Sequence, residues 1–198
     1  MQLLIVCLLC WTCCVSAREI IISEKGSDTP SCFEELVACR SLVNVSKYVT
    51  SNKLNNVTIR ISDTNYTLQG VANFIGVENI TIAGNGHSLT HINCNTSGTS
   101  LRTSGAGIAF SRSSNITFIN FTINNCGATI VKKIHGKFNG NGTAIQIIEC
   151  LKVNVLGIAV YRSINQGLTF INTGSTVRVI DSQFINNTAS GLVAVLYR

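Results

Sequence analysis

Residues 113–127 read SSNITFINFTINNCG, and the spacing of their apolar side chains decides the fold. Apolar residues first fall at every second position (Ile116, Phe118), then close up (Ile119, Phe121, Ile123), and stop at Asn124-Asn125. Strict alternation buries one face of a strand and wets the other. A pair of asparagines suits a place where the chain turns, because Asn tolerates left-handed backbone and bonds its own backbone there. The segment also spells a glycan acceptor twice, at Asn115 and Asn120.

The pattern recurs. Asn56-Val-Thr-Ile, Asn79-Ile-Thr-Ile and Asn115-Ile-Thr-Phe share one template, and Lys152-Val-Asn-Val and Thr176-Val-Arg-Val fit its apolar part. Taking Val57, Ile80, Ile116, Val153 and Val177 as equivalent, the spacings are 23, 36, 37 and 24 residues. The short spacings suit one coil of a solenoid, and the long ones a coil with an inserted loop. A second template, Gly107-Ile-Ala-Phe, Gly167-Leu-Thr-Phe and Gly191-Leu-Val-Ala, precedes the first, with Thr143-Ala-Ile-Gln in the same place of the coil between. Two strands per coil, repeated at about 24 residues, predict a parallel β-helix. Asn124 and Asn186 lie eight and nine residues beyond Ile116 and Val177, so one coil is expected to carry a bulge. A β-sandwich or antiparallel barrel would place Asn-Gly hairpins inside the repeats. Asn85-Gly86, Asn139-Gly140 and Asn141-Gly142 lie between them.

The ends of the chain read differently. Residues 1–17, MQLLIVCLLCWTCCVSA, have an apolar run and small residues at Ser16 and Ala17, which predicts a secretory signal peptide cleaved after Ala17. The run is too short to span a bilayer, and no later segment is long and apolar enough. Residues 18–54 predict an N-terminal cap with a short strand at Glu19-Ile-Ile-Ile-Ser and a helix after Ser41 as N-cap. Leu42, Val45, Tyr48 and Val49 share one face of that helix, which is expected to cover the end of the solenoid. Residues 55–198 are the β-helix proper. Its last stretch, Gly191 to Arg198, reads as the first strand of another coil, so the β-helix is expected to be incomplete at that end. The chain is then either part of a longer product or self-associates end to end through Val193, Val195 and Tyr197.

The composition of the 198 residues is poor for helices and good for strands joined by turns: Asn, Ser, Thr, Gly, Ile and Val dominate. The net charge of +6 is modest and scattered, apart from KKIHGK at 132–137. That run reads as a solvated loop, with a weak polyanion contact as the alternative, and in a secreted chain without interleaved aromatics no nucleic-acid surface is expected. Of nine cysteines, Cys7, Cys10, Cys13 and Cys14 fall in the signal peptide and five remain. Cys32 and Cys39 are close enough to bridge a small loop, while Cys94 and Cys126, each after an Ile-Asn stretch, are the candidates for a second bridge that leaves Cys150 free. His87, His91 and His135 form no ligand set with them, so neither metal nor cofactor is expected.

With these features assembled, the chain resembles secreted right-handed parallel β-helix proteins of the pectin-lyase-like superfamily, particularly the repeat proteins of sponges and other simple animals. The residues that carry the resemblance are Ile22-Ser-Glu-Lys-Gly-Ser-Asp, Val57-Thr-Ile-Arg-Ile with Tyr66-Thr-Leu, Asn79-Ile-Thr-Ile-Ala-Gly-Asn-Gly, the opening segment, and Asp181-Ser-Gln-Phe-Ile-Asn-Asn. The resemblance implies an all-β right-handed solenoid with a small helical cap. It implies function only loosely, since this fold hosts lyases, hydrolases, adhesins and inert scaffolds.

An enzyme of this type needs paired carboxylates within about 5–10 Å of each other. The three aspartates are Asp28, Asp63 and Asp181, and the last two are expected roughly 15–20 Å apart at about 4.8 Å per coil. Glu149 is expected one coil from Asp181 on a different side. Arg162 and Lys152, candidates for contact with an acidic sugar, read as outward strand charges. Nine Asn-x-Ser/Thr acceptors occur, at Asn44, Asn56, Asn65, Asn79, Asn95, Asn115, Asn120, Asn141 and Asn186. The expectation is a non-catalytic secreted glycoprotein scaffold for extracellular recognition, adhesion or matrix structure, binding a protein or a glycan. A polysaccharide-active lyase or glycoside hydrolase is the alternative.

Overall fold

The alternation that sequence reading picked out becomes strand wherever it occurs. The computed structural model describes residues 18–34, 37–94, 107–126, 143–164, 166–174 and 176–195. The signal segment, the basic run 132–137 and His135, the acceptors Asn95 and Asn141, and Tyr197 lie outside the described residues. Most of what is described is β-structure, in three parallel sheets.

The first sheet holds β1 (Arg18–Ile22), β2 (Val57–Ile61), β5 (Glu78–Ala83), β8 (Ser114–Ile119), β11 (Leu151–Leu156) and β14 (Val177–Ile180), in that order. The second holds β3 (Asn65–Leu68), β6 (His91–Cys94), β9 (Thr122–Asn124), β12 (Ala159–Tyr161) and β15 (Gln183–Ile185). The third holds β4 (Ala72–Ile75), β7 (Ile108–Ser111), β10 (Ile145–Ile148), β13 (Gln166–Ile171) and β16 (Ser190–Val195). From β2 onward the chain visits the first, second and third sheets in strict rotation. The expected two strands per repeat are therefore three. In sequence the second-sheet strand reads as the tail of the first, because in the later repeats only two residues, the first of them left-handed, separate the two.

Register follows the sequence templates. Val57 pairs with Ile80, Ile80 with Ile116, Ile116 with Val153, and Val153 with Val177. Ile108, Ile145, Leu168 and Leu192 align in the third sheet. Alternate side chains point inward and stack into one continuous core. At its centre Phe110 is fully buried, stacked on Phe74 with ring centroids 4.5 Å apart and meeting Phe118 edge-on at 5.6 Å. Such ring pairs add to the area they bury.

Corners are made by left-handed residues in matching positions. Gly76, Arg112, Glu149 and Asn172 follow the third-sheet strands, and all have φ between 48° and 62°. Asn120, Gly157 and Asp181 follow first-sheet strands, and Asn125, Arg162 and Asn186 follow second-sheet strands, again with positive φ. Asn124 pairs with Tyr161 and Tyr161 with Ile185, so the partner of Asn186 is Asn125, not Asn124. The expected bulge is not needed, since both asparagines then stand nine residues beyond their reference positions.

The residue after the left-handed one is commonly a small donor that bonds back to the carbonyl two residues before it. Ser113 Oγ donates to Ser111 O at 2.9 Å, Cys150 Sγ to Ile148 O at 3.3 Å, Thr173 Oγ1 to Ile171 O at 3.4 Å, and Ser182 Oγ to Ile180 O at 2.9 Å. Ser163 occupies the same kind of position and is fully buried, yet its hydroxyl has no partner among the described residues. An unmatched buried hydroxyl carries its desolvation cost without return. Ser163→Ala is therefore expected to leave stability unchanged or raise it by up to about 1 kcal/mol, read as a higher urea midpoint at the same slope.

The N-terminal end is closed on all three sheets. In the first, Cys39 bridges to Ile22 beyond β1: its N–H donates to Ile21 O, and its carbonyl accepts from Ser23 N. In the second, Glu24 Oε1 accepts from Thr67 N of β3 at 2.6 Å. In the third, helix α2 (Leu42–Ser51) lies along β4, where Ser46 Oγ and Thr50 Oγ1 accept from Asn73 N and Ile75 N. Ser41 caps α2 by accepting from Asn44 N, and Leu42, Val45 and Val49 are buried. Tyr48 is half-buried and stacks on Phe33 of α1 (Ser31–Glu34). The short strand expected within residues 18–54 is β1, which pairs with β2 as the first strand of its sheet.

Tyr66 ties this end together. Its hydroxyl accepts from Leu42 N at 2.8 Å and donates to Arg40 O at 3.2 Å. Burial pushes its pKa up to about 12, with help from the nearby carboxylates of Asp28, Glu24 and Asp63, while the Leu42 bond pulls the other way. A tyrosine of the unfolded chain titrates near 10. The contribution of Tyr66 is thus complete below pH 10 and is lost as pH rises to about 12. The shift of about two units amounts to roughly 2–3 kcal/mol. Tyr66→Phe is expected to flatten the alkaline limb of a stability–pH curve between pH 10 and 12.

Candidate functional site

The outer face of the second sheet is the surface most regularly set with groups that recognise ligands. Two columns run across its five strands. One is Asn65, His91, Thr122, Ala159 and Gln183, and the other is Thr67, Asn93, Asn124, Tyr161 and Ile185. Alternation with the inward Tyr66, Ile92, Ile123, Val160 and Phe184 points these side chains outward. Asn124 Nδ2 donates to Asn93 Oδ1 at 3.4 Å, and Tyr161 O–H donates to Gln183 Oε1 at 3.3 Å. In the second column a hydroxyl, two amides and a phenol thus follow one another at about 4.8 Å, one strand spacing, while in the first column Thr122 and Ala159 are buried and Thr122 Oγ1 donates to His87 O. Sequence reading missed this face. Its signal was the break in alternation at Ile119-Asn120-Phe121, where one strand ends and another begins.

The carboxylates singled out from sequence are dispersed. Asp28 accepts from Arg40 N, Ser41 N and Asn44 Nδ2 at the start of α2. Asp63 accepts from Ser23 Oγ and Glu24 N. Glu149 and Asp181 are exposed corner residues at opposite ends of first-sheet strands, about 20 Å apart at 3.3 Å per residue. Glu19 pairs with Arg60 at 2.7 Å on the outside of β1 and β2. Lys152 and Arg162 are exposed and left-handed, Lys152 in the column of Asn115 and Arg162 beside Asn125 and Asn186. Among the described residues no three His, Cys, Asp or Glu side chains gather as a metal site, and no helix is long and apolar enough to cross a membrane.

Two disulfides are present. Cys32–Cys39 lies in the N-terminal end, and Cys94–Cys126 joins the far end of β6 to the corner after β9. Cys150 is free and buried, and burial raises its thiol pKa. Its bond to Ile148 O makes it an equivalent of Ser113 and Thr173 in the corner pattern.

The acceptor asparagines fall in three settings. Asn44 is in α2 with its amide donating to Asp28. Asn65 is exposed at the start of β3, and Asn120 and Asn186 are exposed corners. Asn56, Asn79 and Asn115 form one column of left-handed residues at the entry to the first sheet, and Asn115 Nδ2 donates to Asn79 Oδ1. That column explains the asparagines by backbone geometry alone. Neighbouring rungs are only about 4.8 Å apart, too close for two sugar chains side by side. Glycopeptide mass spectrometry is expected to find glycans at Asn65 and Asn186, and never on Asn79 and Asn115 of the same molecule.

No family model matches the chain, and neither a curated protein nor a solved structure matches it.

Proposed function

We propose that the three sheets are the faces of a right-handed parallel β-helix, and that the protein is a secreted, glycosylated, non-catalytic scaffold for extracellular recognition, adhesion or matrix structure. The observation that carries this reading is the outer face of the second sheet, where Thr67, Asn93, Asn124 and Tyr161 form a column of half-exposed polar side chains with a fixed repeat. A fixed repeat of amides and hydroxyls suits an extended ligand with its own regularly spaced polar groups, such as a glycan chain or a protein strand. The commitment of Asp28, Asp63 and Glu24 to backbone and hydroxyl donors supports a non-catalytic role. The apolar leader, the nine acceptors and the two disulfides support export.

A single experiment tests both parts. The secreted protein is incubated with pectin, alginate and glycosaminoglycans, followed for new reducing ends, and passed over a glycan array. The expected result is no chain cleavage, with binding that drops at least tenfold on Tyr161→Ala and Asn124→Ala. Release of reducing ends would identify a polysaccharide-active enzyme. Binding that both substitutions leave unchanged would remove the second-sheet face from the proposal.

A further inference from the structure

Asn65 is both a glycan acceptor and the first member of the first outward column of the second sheet. It is exposed at the start of β3, and its side-chain amide makes no hydrogen bond among the described residues, whereas that of Asn44 is taken up by Asp28. A sugar chain that leaves Asn65 along the stack meets His91, half-exposed on the next strand. One strand further the path along this column is closed. The turn of residues 84–90 stands over Thr122, which is buried and donates to His87 O. Gly84 N and Gly86 N pin that turn to Ile119 O and Asn120 O, both at 2.9 Å. The neighbouring column stays open: Thr67, Asn93, Asn124 and Tyr161 are half-exposed over about 14 Å, three strand spacings of about 4.8 Å. No carboxylate, ammonium or guanidinium stands in either column.

We propose that the N-glycan of Asn65 folds back onto Thr67, Asn93, Asn124 and Tyr161 and masks them, so that an external ligand must displace it. The inference rests on the reading of this column as a sugar-binding surface, and adds how that surface is regulated. Transfer from a lipid-linked oligosaccharide joins Asn65 Nδ2 to the anomeric carbon of the first sugar. Nδ2 gives up one proton, and the bond from that carbon to the lipid diphosphate breaks. The linked amide keeps one N–H and its carbonyl. The first sugars of such a chain are N-acetylhexosamines, uncharged rings that carry an amide and hydroxyls. The amides and hydroxyls of the column both donate and accept, and Tyr161 adds an apolar ring with a polar tip. Uncharged sugar thus meets an uncharged row of matching chemistry. The tether at the edge of the face holds these sugars at an effective concentration on the order of millimolar, so contacts too weak to retain a free sugar suffice.

Glycan release under native conditions tests this. The secreted protein is treated with peptide N-glycosidase, and release is followed site by site by mass spectrometry. Asn186, a corner residue outside both columns, is the reference. Release from Asn65 is expected to be at least about tenfold slower than from Asn186 in the folded protein, and equal to it after denaturation. Tyr161→Ala and Asn124→Ala change half-exposed side chains, so the fold survives, which far-ultraviolet circular dichroism checks. Each is expected to remove most of the difference in rate. Asn65→Gln frees the column and is expected to raise binding on the glycan array at least about threefold. An unoccupied Asn65, equal native rates, protection indifferent to both substitutions, or no gain in array binding on Asn65→Gln would each overturn the proposal. Array binding by the Asn65→Gln protein that Tyr161→Ala and Asn124→Ala abolish would show that the sugar-binding reading of the face survives such a failure.

Discussion

Replacing Phe110 by alanine is expected to lower the free energy of unfolding by about 4 kcal/mol, a large share of the 5–15 kcal/mol available to a domain. Phe110 is fully buried in the second strand of the third sheet, between Phe74 and Ile147. The substitution removes its transfer energy, leaves a ring-sized void, and deletes the contacts with Phe74 and Phe118. Collapse around the void is limited, because Ile147 and Phe118 are held in register by strands on both sides and Phe74 by β7 and α2. A urea titration should show a lower midpoint with an unchanged slope. A smaller slope would mean that strands on either side of Phe110 unfold separately, and the core would then not be one cooperative unit.

The second large effect is expected on removing Cys94–Cys126. The bridge closes a sequence separation of 32 residues, against 7 for Cys32–Cys39. On the chain-entropy account the longer closure is worth about 3–4 kcal/mol and the shorter about 2–3 kcal/mol. Gly107 sharpens the test. A Cβ there would stand 2.9 Å from both sulfurs and 2.9 Å from Ala144 O, so the glycine is needed partly because the bridge fills its space. Gly107→Ala is expected to cost less in the Cys94→Ala/Cys126→Ala background than in the wild type. Additive costs in that double-mutant cycle would refute the packing account.

Much of the fold was legible because its period writes itself into one column of residues. Val57, Ile80, Ile116, Val153 and Val177 are neighbours in register, and their unequal spacings reflect loops that leave the register untouched. Helix α2 was legible from Ser41 and the 3.6-residue spacing behind it. The third strand of each repeat was not, for a physical reason. A left-handed residue such as Asn120, followed by one more residue, is all that separates β8 from β9, and it shifts the inward positions from even (Ile116, Phe118) to odd (Phe121, Ile123). Read as one strand, that shift looks like irregular packing. The second-sheet face therefore stayed hidden, since its outward columns exist only once the second strand is recognised. The carboxylates illustrate the opposite limit. Asp28 and Asp63 are common residue types whose partners are backbone N–H groups and the side chains of Asn44 and Ser23, and sequence does not reveal those.

The left-handed corner residues have a consequence for the history and the engineering of the chain. Asn, Arg, Glu, Lys, Asp and Gly all serve at these corners, each bends the backbone alike, and each recurs where the next repeat needs it. A segment cut after two such equivalent points, Gly157 and Asp181, begins and ends with the same geometry. Its loss or duplication alters length without altering any junction. Size is thus adjustable in whole units, and a lineage can lengthen or shorten this surface by copying DNA, with no new fold to discover.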